Sequence, residues 1–315
     1  QITTKNDRQM RMINFGVEFK PDAKMYVGFN GMEQDYVYFS RQIKDENGKT
    51  KNETEKVPWK DRFTFKKEGF RPIGVNIGVV KKIDDKGNEV NDKKVLHQYD
   101  ACKEIEDNLV DDVSVFIKGN ITYSTYEGKH QTRFEPNQIS LCKPVNFEDE
   151  AFTPMANFQQ KIVFMGINPN EDKTKFMVEA KIVTYNTIED AEFVILDSKL
   201  AALFKKNLKP YMSIEVWGDI NVEKNEEEVS EDDGWGEKNQ MKRTNSPDIR
   251  ELVIKGADPK SIDKEIYSQE NLDAAIEKMK NNKKAKEEYN GGESSDGWGS
   301  VSQLVEGEDD EDDPW

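Results

Sequence analysis

Apolar and polar positions alternate most clearly in the second half of the chain. Phe158–Ile167 (FQQKIVFMGI) reads as a strand, and Asn168-Pro169-Asn170 supplies turn chemistry after it. Lys175–Tyr185 (KFMVEAKIVTY) alternates strongly, as a strand with one buried face does. Ala191–Leu196 is a short third strand. Asp197 or Ser198 can cap a helix that runs through Leu200, Leu203 and Phe204 to about Asn207. Tyr211–Val222 predicts a fourth strand, with Gly218 as a bulge or bend. An acidic stretch follows, and Asp248–Lys255 (DIRELVIK) predicts a fifth strand.

The first half echoes the second at a constant offset of 99 residues. Asn108 matches Asn207, Leu109 matches Leu208, Ser114 matches Ser213 and Gly119 matches Gly218. Apolar positions coincide too: Val113 with Met212, Val115 with Ile214, Ile117 with Val216 and Ile121 with Ile220. Two copies of one module are therefore expected. In the first, Phe70–Lys82, Lys94–Tyr99, Asp111–Tyr123 and Gln131–Leu141 serve as strands two to five, and Ala101–Asn108 as the short helix. Met10–Phe19 is the best first strand. A long gap with a candidate hairpin at Lys24–Ser40 separates it from strand two, so either this copy carries an insertion or its first strand lies elsewhere. Three strands, a short helix and two strands is the order of an OB-fold. The expected fold is mainly β, with tandem OB-like five-stranded barrels.

The expected domains are 1–147 for the first module and 148–257 for the second, with an acidic loop at 223–247. A helical segment follows at 258–289, where Leu272, Ala275, Ile276 and Met279 recur at helical spacing. From residue 290 the chain turns to Gly, Ser, Asp and Glu, a composition that cannot bury enough apolar surface to fold. A disordered acidic tail is expected at 290–315.

Charge sharpens this division. The net charge is -16, but residues 1–147 hold 25 Lys+Arg against 23 Asp+Glu, whereas 223–315 hold 13 against 27. The first module can thus present a basic face despite the acidic total. No apolar run approaches a membrane span, and the polar start of the chain lacks the apolar core of a signal peptide. Cys102 and Cys142 read as reduced core thiols, and a cytoplasmic location is expected. The spacing of these cysteines with His97 and His130 fits no metal motif, so neither metal nor cofactor is expected.

The strongest binding signal is Trp59–Arg71 (WKDRFTFKKEGFR), with Lys60, Arg62, Lys66, Lys67 and Arg71 interleaved with Trp59, Phe63, Phe65 and Phe70. Cations track phosphates, and flat rings stack on unpaired bases. The alternative is an exposed hairpin with ordinary core aromatics. A second patch, Tyr123, Tyr126, Lys129, Arg133 and Phe134, falls in the loop joining strands four and five, one wall of the ligand cleft in OB-folds; a plain hairpin turning at Glu127-Gly128 is its alternative. Lys173, Lys175, Tyr185 and Trp217 are the corresponding residues in the second module. Period two puts Trp217 on the face opposite Ile214, Val216 and Ile220, as a stacking platform or packed under the neighbouring loop.

Three tryptophans lie in acidic sequence. Asp233-Gly234-Trp235-Gly236 recurs as Asp296-Gly297-Trp298-Gly299, and the last four residues are Asp312, Asp313, Pro314 and Trp315. A segment that does not fold gains nothing for itself from a Trp, so Trp235, Trp298 and the terminal Asp312, Asp313, Pro314 and Trp315 read as partner-binding motifs. The acidic run before a Pro-aromatic pair resembles the tip of single-stranded DNA-binding proteins of bacteria and their phages, with Trp in place of Phe. The resemblance implies an OB-fold core that binds single-stranded DNA and a tip that docks replication, recombination or repair proteins. Two modules in one chain depart from the bacterial pattern of one module per subunit. The phage type is the better fit.

No nucleotide-binding, nucleophile-elbow or zinc-protease motif appears, so no enzyme is expected, although a nuclease site of scattered carboxylates would leave no such signature. The expected activity is binding of single-stranded DNA with low sequence specificity. The rival reading is a protein-interaction scaffold or DNA mimic whose barrels bind proteins.

Overall fold

The computed structural model describes residues 2–4, 7–44, 48–126, 129–184, 187–223 and 249–289. Among the described residues the chain is mainly β with three α-helices, and its curled sheets are consistent with OB-like barrels. It divides into two compact units. One comprises residues 1–17, 26–122 and 133–152, and the other 18–25, 123–132 and 153–315.

The first unit holds β1 (Ile2–Thr3), β2 (Gln9–Lys20), β3 (Ala23–Met32), β4 (Tyr36–Lys44), β5 (Thr50–Pro58), a 3-10 turn (Trp59–Asp61), β6 (Arg71–Pro72), β7 (Val75–Gly78), β8 (Lys81–Ile83), β9 (Glu89–Asn91), β10 (Lys94–Leu96), α1 (Gln98–Asn108), β11 (Val115–Tyr126) and β12 (Lys129–Leu141), except for residues 18–20 of β2, 23–25 of β3, 123–126 of β11 and 129–132 of β12, which fall in the second. Its main sheet runs β1-β2-β3-β12-β7-β10, with β11 paired to β12. Helix α1 lies over this sheet, and Ala101, Cys102 and Ile105 join Phe29, Val75, Ile77 and Ile139 in the core. Gly31 allows the close approach, since a Cβ there would stand 2.1 Å from the Tyr99 backbone nitrogen.

Three sequence expectations change here. The Lys24–Ser40 hairpin does not form, because β3 pairs with β12 in the main sheet whereas β4 pairs with β5 and β6 in a separate one. That separate three-stranded sheet, β5-β4-β6, is drawn largely from the long gap between the expected first and second strands. It has its own small core of Val37, Phe39 and Val57 under Trp59, Phe65 and Phe70. Phe70–Lys82 is not one strand but three, β6, β7 and β8, in three different sheets. At the break between β6 and β7, Gly74 approaches the Leu96 carbonyl so closely that a Cβ would lie 2.1 Å from it. Cys142 is exposed rather than a core thiol, while Cys102 is buried and its pKa is pushed up to about 12 by desolvation.

The second unit contains β13 (Asn157–Pro169), β14 (Phe176–Val183), β15 (Ile188–Ile195), α2 (Ser198–Asn207), β16 (Met212–Glu223), β17 (Ile249–Asp263) and α3 (Gln269–Tyr289). The five strands close a barrel in the order β13-β14-β15-β17-β16. Antiparallel pairing holds throughout except where β15 runs parallel to β17, at Val194 and Val253. Alternating residues fill the interior, among them Ile162, Val178, Phe193, Val216 and Ile254. Truncating a buried Phe such as Phe193 would cost about 3–5 kcal/mol. The Asp197 carboxylate caps α2 by accepting from Lys199 N at 2.8 Å, and Phe204 of that helix meets the Phe164 ring at 6.4 Å. Leu272 anchors α3 with 1% of its surface exposed.

The 99-residue repeat is physical. Asn108 and Asn207 each end a helix and donate Nδ2 to the carbonyl four residues back, Glu104 at 2.9 Å and Leu203 at 3.0 Å. Leu109 and Leu208 then donate their N–H groups to Ile105 and Phe204. Asp112 and Tyr211, again 99 apart, both take the left-handed backbone conformation, with φ of 59° and 72°.

Candidate nucleic-acid interface

The 59–71 segment divides by chemistry rather than acting as one patch. Trp59 opens the 3-10 turn after β5, its N–H bonded to the Asp35 carbonyl at 2.9 Å. Its indole is half-buried and braced edge-on by His97 (5.0 Å) and Tyr99 (5.8 Å). The Arg62 guanidinium lies 4.0 Å over Trp59 and 4.3 Å from Phe63. That guanidinium is committed, however, because Nε and Nη2 meet the two oxygens of Asp100 at 2.7 and 3.1 Å. Arg62 therefore positions two rings and has little charge left to offer a phosphate. Phe65 packs on Phe39 at 4.7 Å, and Phe70 sits under Arg41 and Lys67. Both belong to the small core rather than to an open surface. Lys67 is ion-paired with Glu55. Phe63 is 62% exposed, and Lys60, Lys66 and Arg71 are also exposed.

An open groove beside Trp59 is lined by Gln34, Asp35, Tyr36, Pro58, Trp59 and Lys60. Tyr36 is 45% exposed and lies directly across from Pro58. The Lys56 ammonium stands 4.3 Å over its ring. Two rings and one cation, Tyr36, Trp59 and Lys60, thus share this open surface with the Asp35 carboxylate, and Lys56 reaches the Tyr36 ring from the neighbouring strand. The sequence reading missed Tyr36 and Lys56, which come from the two strands leading into Trp59. The register that sets Val37 against Val57 places Tyr36 and Lys56 together on the other side of a two-stranded ribbon, a signal that only the pairing of β4 with β5 supplies.

Half-buried His97 packs edge-on against the Trp59 ring. Desolvation lowers its pKa to about 4, with the Arg62 charge acting the same way against Asp100. Its neutral Nδ1 accepts from Tyr99 N at 3.2 Å and caps α1.

In the second patch, Tyr123 is half-buried, with its hydroxyl shielded and its pKa raised by burial. Arg133 and Phe134 are half-buried on β12, Phe134 opposite Val27. The side chains of Tyr126 and Lys129 lie outside the described residues. In the second unit Lys175 is held by both oxygens of Glu251 at 2.8 and 2.9 Å. Lys173 is exposed in a turn with φ of 58°. Trp217 points outward from β16, 44% exposed. Tyr185, Trp235, Trp298, Asp312, Asp313, Pro314 and Trp315 lie outside the described residues.

Among the described residues no group of three or more His, Cys, Asp or Glu side chains is placed to hold a metal ion. No described helix is long and apolar enough to cross a membrane, which says nothing of spanning strands.

A closed barrel of OB topology, with a curled β unit that carries a groove of rings and cations, defines a mainly β protein of OB-like architecture. The chain belongs to the YorF family, which its residues 44–292 match. No curated protein matches it. Among solved structures it is similar to a deletion mutant of the single-stranded DNA binding protein from Thermus aquaticus, with 8% identity and a TM-score of 0.36 over 82% of this chain and 85% of that one. The wild-type Thermus aquaticus protein gives 9% identity and a TM-score of 0.33 over 71% of this chain and 92% of that one. Likenesses this distant carry no argument for function.

Proposed function

We propose that this chain binds single-stranded DNA with little sequence preference, and that the groove between Tyr36 and Trp59 is a principal contact. One observation carries the reading: Tyr36, Trp59 and Lys60 line one open groove, and the Lys56 ammonium lies 4.3 Å over the Tyr36 ring. Trp59 is fixed by His97, Tyr99 and the Arg62–Asp100 pair, so little side-chain entropy is lost when a base stacks on it. Phe63 extends the set of rings along the same turn. Rings and cations together suit an unpaired strand, whose bases are free to stack while its phosphates stay exposed. The acidic C-terminal tip, with Pro314 and Trp315, docks proteins of replication, recombination or repair; this part rests on the sequence motif.

A scaffold reading has one point in its favour, which concerns the second unit. On β14 and β15, Glu179 stands directly across from Glu192 and Lys181 is neutralised by Asp190 at 2.5 Å. That surface repels phosphates.

The deciding experiment is a titration with oligo-dT, oligo-U and duplex at two salt concentrations, followed by Trp emission. Oligo-dT should quench emission and bind more weakly at the higher salt, and duplex should do far less. Equal binding of duplex, or none of any oligonucleotide, would leave the scaffold reading.

A further inference from the structure

Trp217 is held flat against the outside of the second barrel. Its cross-strand neighbour on β17 is Gly256. A Cβ at that glycine would lie 2.6–2.7 Å from Cε2, Cζ2 and Nε1 of the indole, so the ring occupies the space over bare backbone. The pairing of β16 with β17 shifts register between Trp217 and Gly218. Gly218 itself admits no side chain, with the Val253 carbonyl 1.8 Å from where a Cβ would be. A bulge of this kind re-aims the neighbouring side chain. The result is an indole with one face on glycine and the other in solvent, 44% exposed.

The surrounding charge selects what lies on it. The pleat puts Glu215 and Asp219 on the same outer face, one on each side of Trp217 along the strand. Asp258 stands across from Glu215 on β17. Glu215 accepts from Gln159 Nε2 at 2.7 Å. Two bases are near: Lys255, 3.5 Å from Asp219, and Lys161, across from Glu215 on β13 with its ammonium 5.4 Å over the Tyr267 ring; against Glu215, Asp219 and Asp258 they leave the face net acidic. Ninety-nine residues earlier, the first unit has exposed Phe116, Lys118 and Asn120 at the equivalent positions. The two copies share the strand and its glycine, yet one outer face carries a cation and the other two carboxylates. A phosphate reaching Trp217 meets those carboxylates. A guanidinium meets a π face and acceptors suited to its fork.

We propose that Trp217, Glu215 and Asp219 form a docking surface for an arginine in a basic segment of a partner protein. This goes beyond the nucleic-acid reading and does not depend on it.

The test uses the full chain and a labelled, amidated peptide of six Arg-Gly repeats, with a Lys-Gly peptide as control. Trp217→Ala and, separately, the double variant Glu215→Gln/Asp219→Asn should each weaken the arginine peptide about fivefold, and Trp217→Phe should weaken it less. The lysine peptide should bind more weakly than the arginine peptide to the parent and respond less to the variants. Oligo-dT affinity should not change in Trp217→Ala. The proposal is overturned if the arginine peptide binds parent and Trp217→Ala alike, or if Trp217→Ala instead loses oligo-dT, which would make the ring a base-stacking site. Failure of the parent to bind oligo-dT would count against the groove reading alone.

Discussion

Gly119 and Gly218 occupy the same place in two copies of one strand, and each lies against a carbonyl of the strand that follows. A Cβ would stand 2.1 Å from the Glu135 oxygen in the first copy and 1.8 Å from the Val253 oxygen in the second. Both contacts are with backbone, which cannot step aside as a flexible side chain can.

Gly119→Ala and Gly218→Ala should therefore each destabilise the unit that carries them by about 1–3 kcal/mol or more, because the strands must part. Gly166→Ala is the control. A Cβ there meets only the end of the Glu179 side chain at 3.6 Å, so its effect should stay within about 1 kcal/mol. Urea unfolding of the three variants would show the difference, and equal midpoints would contradict it.

The Arg62–Asp100 pair has side chains only 17% and 11% exposed. Removing one partner leaves a largely desolvated charge, so Asp100→Asn should cost about 1–3 kcal/mol, below the range for a fully buried pair. Because Arg62 also braces Trp59, the same variant should weaken oligo-dT binding severalfold. Denaturation and binding measured on one preparation would test both.

Acid should destabilise the first unit through His97. Its folded pKa of about 4 lies below the ordinary 6.5, so the unfolded chain binds the proton more readily. Stability from this group is complete above pH 6.5 and falls as the pH drops towards 4, by at most about 3 kcal/mol. His97→Asn keeps a capping acceptor for α1 but cannot titrate. It should flatten the curve in that window, and a curve parallel to the parent's would refute the assignment.

At the groove, Tyr36→Ala and Trp59→Ala should each cost about 1–3 kcal/mol of oligo-dT affinity. Lys56→Glu and Lys60→Glu should instead lower the salt dependence by about one counterion each. Unfolding curves of Tyr36→Ala, whose ring is exposed, would separate lost binding from lost folding.

Removing residues 291–315 should tighten oligo-dT binding, since the last third of the chain carries nearly all the net negative charge. Unchanged affinity would dismiss self-inhibition by the tail.

Local pattern gave the strands of the second barrel, although the fifth continues to Asp263, where a helical segment is expected from 258. Alternation in KFMVEAKIVTY and MSIEVWGDINV, the Asp197 cap and the position of Gly218 are short-range features that read directly from residue order. The 99-residue offset was legible for the same reason, because a helix end, a left-handed residue and a backbone-packed glycine recur at fixed separations. Pairing between distant strands was not legible. Nothing local says that β4 leaves β3 for β5 and β6, or that residues 70–82 serve three sheets, because partner choice depends on which apolar faces close over which. Nor could composition sort the rings and cations of Trp59–Arg71. Phe65 and Phe70 cover the small core of Val37, Phe39 and Val57, and Arg62 is claimed by Asp100, 38 residues away. Tyr36 and Lys56 joined Trp59 only when β4 and β5 came into register. Burial and charge pairing are properties of the assembled surface, and only the tertiary structure decided which side chains remained free.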